Sequence, residues 1–143
     1  MFIGEYAHNL DEKFRLAVPA KFRSALAKGA VVTRGLDGCL VVYPRKAWEE
    51  LAKKLSQLSI NQANKRAFAR FILPGAMDVT PDKQGRLVLP DYLRSYAAIS
   101  KKVIVAGLFD RLEIWDEARW QEYRLRTERD SVEIAENLGD AGI

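Results

Sequence analysis

An α+β fold, with two similar β-rich units packed as one pseudo-twofold domain and flanked by helices, is what this sequence predicts. Three observations support it. The 143 residues fit one ordinary domain or two very small ones. Their 48% hydrophobic and 29% charged content is that of a folded globular chain. Most telling, the chain repeats itself. Asp11-Glu12-Lys13-Phe14-Arg15-Leu16-Ala17-Val18-Pro19 returns as Asp82-Lys83-Gln84-Gly85-Arg86-Leu87-Val88-Leu89-Pro90, sharing the frame Asp-x-x-x-Arg-Leu-x-aliphatic-Pro at an offset of 71. Phe22-Arg23 returns as Leu93-Arg94. At an offset of 72, Gly35-Leu36, Leu40, Val42, Tyr43 and Trp48 return as Gly107-Leu108, Leu112, Ile114, Trp115 and Trp120.

Each unit reads in the same order. Residues 2–11 and 76–81 have strand composition. Residues 14–18 and 86–89 are short strands that stop at a proline, which cannot donate to a ladder. Pro19 and Pro90 then open short helices over 20–27 and 91–98, because a first-turn proline loses no helical hydrogen bond. Gly29 is positioned to end the first of these. Residues 31–34 and 103–105 return to strand. Gly-containing turns, Asp37-Gly38 the stronger, lead into strands 39–43 and 112–115. Helices close the units over 46–58 and 117–129. Trp48, Leu51, Ala52 and Leu55 in the first keep the spacing of a one-faced helix. The units therefore span 1–58 and 76–130. Between them, 59–75 is an ordered helical linker ended by Pro74-Gly75, and 131–143 is expected to be a flexible tail. A unit of this size buries a modest core and leaves strand edges open, so helix faces and sheet edges are expected to serve subunit contacts.

Charge and composition exclude several classes of function. No run of about 18 apolar residues exists, so no membrane span is expected. The opening residues lack a basic segment followed by an apolar one, which argues against a secretory leader and for the cytoplasm. Cys39 and His8 are the only residues of their types. Disulfides, ordinary zinc sites and Ser-His-Asp chemistry are therefore unsupported, and we expect no catalytic residues, metal or cofactor. No Gly-rich phosphate loop occurs. The three tryptophans fall on repeat positions and are expected to be core or interface anchors. The net charge of +4 is uneven. Residues 1–75 carry 13 Lys/Arg against 6 Asp/Glu, and 76–143 carry 10 against 13. A basic half suits a polyanion, though composition alone does not distinguish DNA from RNA or an acidic protein.

The Asp-x-x-x-Arg loop narrows that choice. Each copy opens a strand from a turn, with Glu12-Lys13-Phe14 and Lys83-Gln84-Gly85 supplying the bend and Lys13 and Lys83 near the tip. Across the bend, Asp11 with Arg15 and Asp82 with Arg86 can pair and fix the planar guanidinium, which suits guanine edges or phosphate. A single copy is better read as only a turn-closing ion pair. Two copies at matching positions, each flanked by further base (Lys21 and Arg23; Arg94), favour a binding role over a turn alone. The expected DNA-binding residues are Lys13, Arg15, Lys21, Arg23, Lys83 and Arg86, oriented by Asp11 and Asp82.

The opening Met1-Phe2-Ile3-Gly4-Glu5-Tyr6, followed by His8, Leu10-Asp11, Lys13, Arg15-Leu16 and Val18-Pro19-Ala20-Lys21-Phe22-Arg23, closely resembles the MraZ family of bacterial transcriptional regulators. Asp82-Lys83-Gln84-Gly85-Arg86-Leu87-x-Leu89-Pro90 resembles that family's second copy, and the likeness covers roughly residues 1–130. It implies two tandem AbrB-like (SpoVT-AbrB) units with Asp11, Arg15, Asp82 and Arg86 as signature residues. It also implies a nucleoid-associated homo-oligomeric ring that binds double-stranded promoter DNA, without a small-molecule substrate. Its target would be repeated boxes ahead of the division and cell wall gene cluster that includes its own gene, with repression the usual outcome. One departure stands out. The family usually has Gly before the first Arg, where this chain has Phe14, which a positive φ would strain. Whether the first turn keeps the shape of the second, and with it the carry-over to Lys13 and Arg15, is left to the structure.

Two other classes compete. A non-enzymatic protein-interaction scaffold ring would use the same helix faces and tryptophans, but would show negligible duplex affinity at physiological salt. A hydrolase using Asp11 and Asp82 ranks below it, because an adjacent Arg lowers a carboxylate pKa and works against a general acid.

Overall fold

A computed structural model describes residues 1–142. The first half runs β1 (Glu5–Asn9), β2 (Arg15–Ala17), a 3-10 turn (Ala20–Phe22) leading into α1 (Arg23–Leu26), β3 (Ala30–Arg34), β4 (Leu40–Pro44) and α2 (Arg45–Ser56). Helix α3 (Ala63–Ile72) follows. The second half repeats the order as β5 (Met77–Val79), β6 (Arg86–Val88), α4 (Asp91–Tyr96), β7 (Lys102–Gly107), β8 (Leu112–Asp116) and α5 (Glu117–Arg129). The terminal segment expected to fray carries a further short helix, α6 (Ser131–Glu136), exposed throughout. The last residue of that tail, 143, lies outside the described residues.

Local chemistry sets these boundaries. Pro19, Pro44 and Pro90 stand at the N-caps of the helices that follow them, where no donor is lost. The β3–β4 turn needs left-handed backbone at two consecutive residues, supplied by Asp37 (φ 65°) and Gly38 (φ 78°). Asp116 caps α5, its carboxylate accepting the Arg119 N–H at 3.3 Å.

The strands form two antiparallel sheets, one of six strands in the order β1-β7-β8-β4-β3-β5 and one ribbon, β2-β6. Exchanging the two halves leaves the six-strand order unchanged, which is the pseudo-twofold. The halves are interleaved rather than side by side. β1 of the first half pairs with β7 of the second, β5 of the second pairs with β3 of the first, and the ribbon takes one strand from each.

Between ribbon and sheet lies the main core. Leu16 and Leu87, directly opposite each other in the ribbon, point inward with Val18, Leu89, Phe22 and Leu93 against Val32, Val42, Val105 and Ile114 of the sheet. Alternate residues of the sheet face the other way. Val41, Ile104 and Trp115 form a second cluster joined by Tyr43, Trp120 and Tyr123, with α5 packed over it. Trp115 is buried and Trp120 stacks edge-on against it at 5.4 Å, while Trp48 lies tilted on Tyr43 at 5.9 Å. Helix α3 is tied to the sheet by its last carbonyls. The buried Thr33 hydroxyl donates to the Ile72 carbonyl at 2.8 Å, and Arg34 Nε donates to that of Phe71 at 3.0 Å.

Because both halves fill one core, Leu16→Ala and Leu87→Ala should each cost about 2–5 kcal/mol and lower the midpoint of a single unfolding transition. Two separable transitions in urea, one per half, would contradict the interleaved core.

Candidate nucleic-acid interface

The two Asp-x-x-x-Arg loops are built bond for bond alike. In the first, the Asp11 carboxylate accepts the N–H groups of Lys13 and Arg15 on Oδ1, both at 2.9 Å, and Arg15 Nε on Oδ2 at 2.7 Å. In the second, Asp82 accepts the N–H groups of Gln84 and Arg86 on Oδ1, both at 2.9 Å, and Arg86 Nε on Oδ2 at 2.8 Å. The turn backbones match as well. Phe14 N–H donates to Asp11 O and Gly85 N–H to Asp82 O, both at 2.9 Å. Only an acceptor on all sides fills this role, so the residue must be an ionised Asp. The backbone N–H of Arg15 or Arg86 is the largest influence holding these carboxylates below their usual pKa. Desolvation, the next largest influence, opposes it, and the Arg side chain and the N–H of Lys13 or Gln84 add to the lowering.

Phe14 does not reshape the first turn. It adopts φ 58° where Gly85 has φ 74°. The left-handed backbone costs an L-residue about 1–2 kcal/mol, and the fold offsets this from the other half of the chain. The Arg94 guanidinium stacks over the Phe14 ring at 3.6 Å, with its Nε anchored on the Leu89 carbonyl at 3.0 Å. Arg23 holds the equivalent place over Gly85, with Nε on the Val18 carbonyl at 3.1 Å. It lies so close that a Cβ on Gly85 would stand 2.5 Å from that nitrogen. The repeated Phe22-Arg23 and Leu93-Arg94 pairs were visible in sequence, but not that each arginine supports the other half's loop.

The ribbon places both signature arginines on one face. In its register Arg15 lies opposite Val88 and Ala17 opposite Arg86. These four residues share the outer face, and Leu16 and Leu87 take the inner one. Arg15 and Arg86 are thus diagonal neighbours, close enough that Arg86 Nη1 lies 3.9 Å from Asp11 Oδ2. With Nε of each held by its own Asp, the Nη groups remain for a ligand. Lys13 and Lys83 are exposed in the turns. Lys21 is exposed too, but its ammonium sits 5.0 Å over the Tyr6 ring of β1 rather than joining either turn. The face thus offers two pre-set guanidiniums and two free ammoniums. Among the described residues no group of His, Cys, Asp or Glu is arranged to hold a metal.

The family model described as "MraZ protein, putative antitoxin-like" matches residues 1–71 and again 72–140. Proteins named "Transcriptional regulator MraZ" are similar over the whole chain. That of Pediococcus pentosaceus is 49% identical over 143 residues, covering 100% of both chains. That of Halothermothrix orenii is 48% identical over the same span and coverage. That of Desulforamulus reducens is 46% identical over 140 residues, 98% of this chain and 99% of the relative.

Two measurements check the loop geometry. Phe14→Ala keeps the left-handed strain and loses the stacked ring, so it should destabilise by about 0.5–1 kcal/mol. Phe14→Gly relieves the strain and should be at least as stable as the alanine variant; the reverse order in denaturant unfolding would sink this account. Carboxyl titration by NMR should place Asp11 and Asp82 below the unfolded value of about 3.9. Since their folded pKa values are depressed, the stability they contribute is present above that value. It is lost as pH falls through the folded values.

Proposed function

This chain belongs to the MraZ family, and on that premise we propose that it regulates transcription by binding double-stranded promoter DNA through the ribbon face. The observation that carries this reading is the pair of congruent loops setting Arg15 and Arg86 on one surface. A two-stranded ribbon fits the major groove, and an arginine fork hydrogen-bonded only through Nε among the described residues can take guanine O6 and N7 with its Nη groups. Arg15 and Arg86 read base edges. Lys13, Lys83 and Arg23 supply phosphate contacts, and Lys21 adds charge beside them. Both loops engage one duplex, because they flank one three-residue ribbon.

The activity is binding rather than catalysis. Asp11 and Asp82 each accept three hydrogen bonds within their own turn and are held below the usual carboxylate pKa, which works against a general acid. The chain acts in the cytoplasm on the nucleoid. It binds repeated boxes ahead of the division and cell wall gene cluster that includes its own gene, and represses it. It assembles into a ring, for which the exposed Leu125, Val132 and Ile134 along α5 and α6 supply apolar contact surface. A ring presents its ribbon faces at regular spacing, and linked weak sites gain about 10² to 10⁴ in avidity.

Arg86→Ala should weaken binding to a duplex from upstream of the chain's own gene by about 1–3 kcal/mol, with the native mass of the assembly unchanged. Lys83→Ala should weaken binding to all sequences alike and lower the log–log salt slope by about 0.9. Arg86→Ala binding as tightly as the parent would refute the site. A parent with no duplex affinity at physiological salt would favour a protein-interaction scaffold instead.

A further inference from the structure

The two loops share a backbone but not a surface. Beside Arg15 stand two exposed apolar groups: Phe14, 40% exposed at the turn, and Val88, 54% exposed directly across the ribbon. Beside Arg86 the same two places are taken by Gly85 and Ala17, one without a side chain and the other with a methyl group, half-buried. An aromatic residue in left-handed backbone is an outlier, and such outliers persist where the surroundings over-determine them. Here Arg94 does so, stacked on the ring at 3.6 Å. The ring of this residue, which directly precedes Arg15 in the chain, is thereby held by Arg94 while remaining 40% exposed. In the major groove the chemistry that rewards a fixed apolar group beside a guanine-reading arginine is the 5-methyl group of thymine.

We propose that Phe14 is a specificity-determining residue that contacts a thymine 5-methyl group next to the base reached by Arg15, with the exposed Val88 across the ribbon from Arg15 adding apolar surface. The Arg86 end makes no such contact. This pseudo-symmetric protein therefore reads an asymmetric site, a methyl-bearing step at one end of the ribbon and guanine alone at the other. The inference rests on the DNA-binding reading of the ribbon face.

The test uses the full chain and the duplex it protects upstream of its own gene, with each thymine replaced in turn by deoxyuridine, which lacks only the methyl. One replacement, at one end of each repeated box, should weaken wild-type binding about fourfold, the worth of one buried methyl group. Phe14→Gly should bind wild-type and substituted duplexes equally, yet still lose affinity on Arg86→Ala. Phe14→Asn, which tolerates the same backbone, gives the same readout should the glycine variant fold poorly. A flat deoxyuridine scan in the wild type overturns the inference, as does a scan unchanged in both variants. A wild type that protects no duplex overturns the DNA-binding reading itself, and this inference with it.

Discussion

Two hydrogen bonds crossing between the halves organise the rest: Val18 N–H to the Gly85 carbonyl at 3.0 Å, and Leu89 N–H to the Phe14 carbonyl at 3.1 Å. Each extends the β2–β6 ribbon by one step into the opposite loop. For its carbonyl to point that way, the residue before each signature arginine takes left-handed backbone. The Asp carboxylate then satisfies the N–H groups that the turn leaves free, and its second oxygen fixes the arginine. Ribbon, turn and guanidinium are one hydrogen-bonded unit, and the core leucines beneath it hold the unit to the sheet.

Much of this was legible in the sequence, because it depends on local pattern. The repeated Asp-x-x-x-Arg frame marked both loops. The prolines marked the strand ends, and the spacing of Trp48, Leu51 and Leu55 marked a helix. What was not legible depends on the other half of the chain. A repeat predicts two copies of a strand but is silent on which copy pairs with which, since β1 on β7 and β1 on β3 would leave the same local signature. The effect of Phe14 was not legible for the same reason. Its φ cost is a property of one residue, whereas the support comes from Arg94 in the other half.

The interleaving also separates symmetry of framework from symmetry of function. Gene duplication would give two equal units, and the backbone keeps that equality to within a few tenths of an ångström in its loop hydrogen bonds. Side chains have diverged where the fold does not constrain them. Helix α3 is bound through Thr33 and Arg34, while α6 near the end of the chain is exposed on all sides. The basic excess lies in the first half and the acidic excess in the second.

Rigidity of the loops bears directly on affinity. A free arginine side chain carries about 2 kcal/mol of rotamer entropy, much of which is lost when it is fixed against a base. Here the fold has already fixed Nε of Arg15 and Arg86, so binding orders little more than the Nη groups. If the ribbon face binds DNA as proposed, preorganisation of these two forks would let a small contact area discriminate between sequences. The same scarcity of contacts would, on that proposal, keep a single chain from holding DNA tightly. In the ring proposed above, repeated ribbon faces, each rigid and each weak, would be the arrangement in which those two properties serve each other.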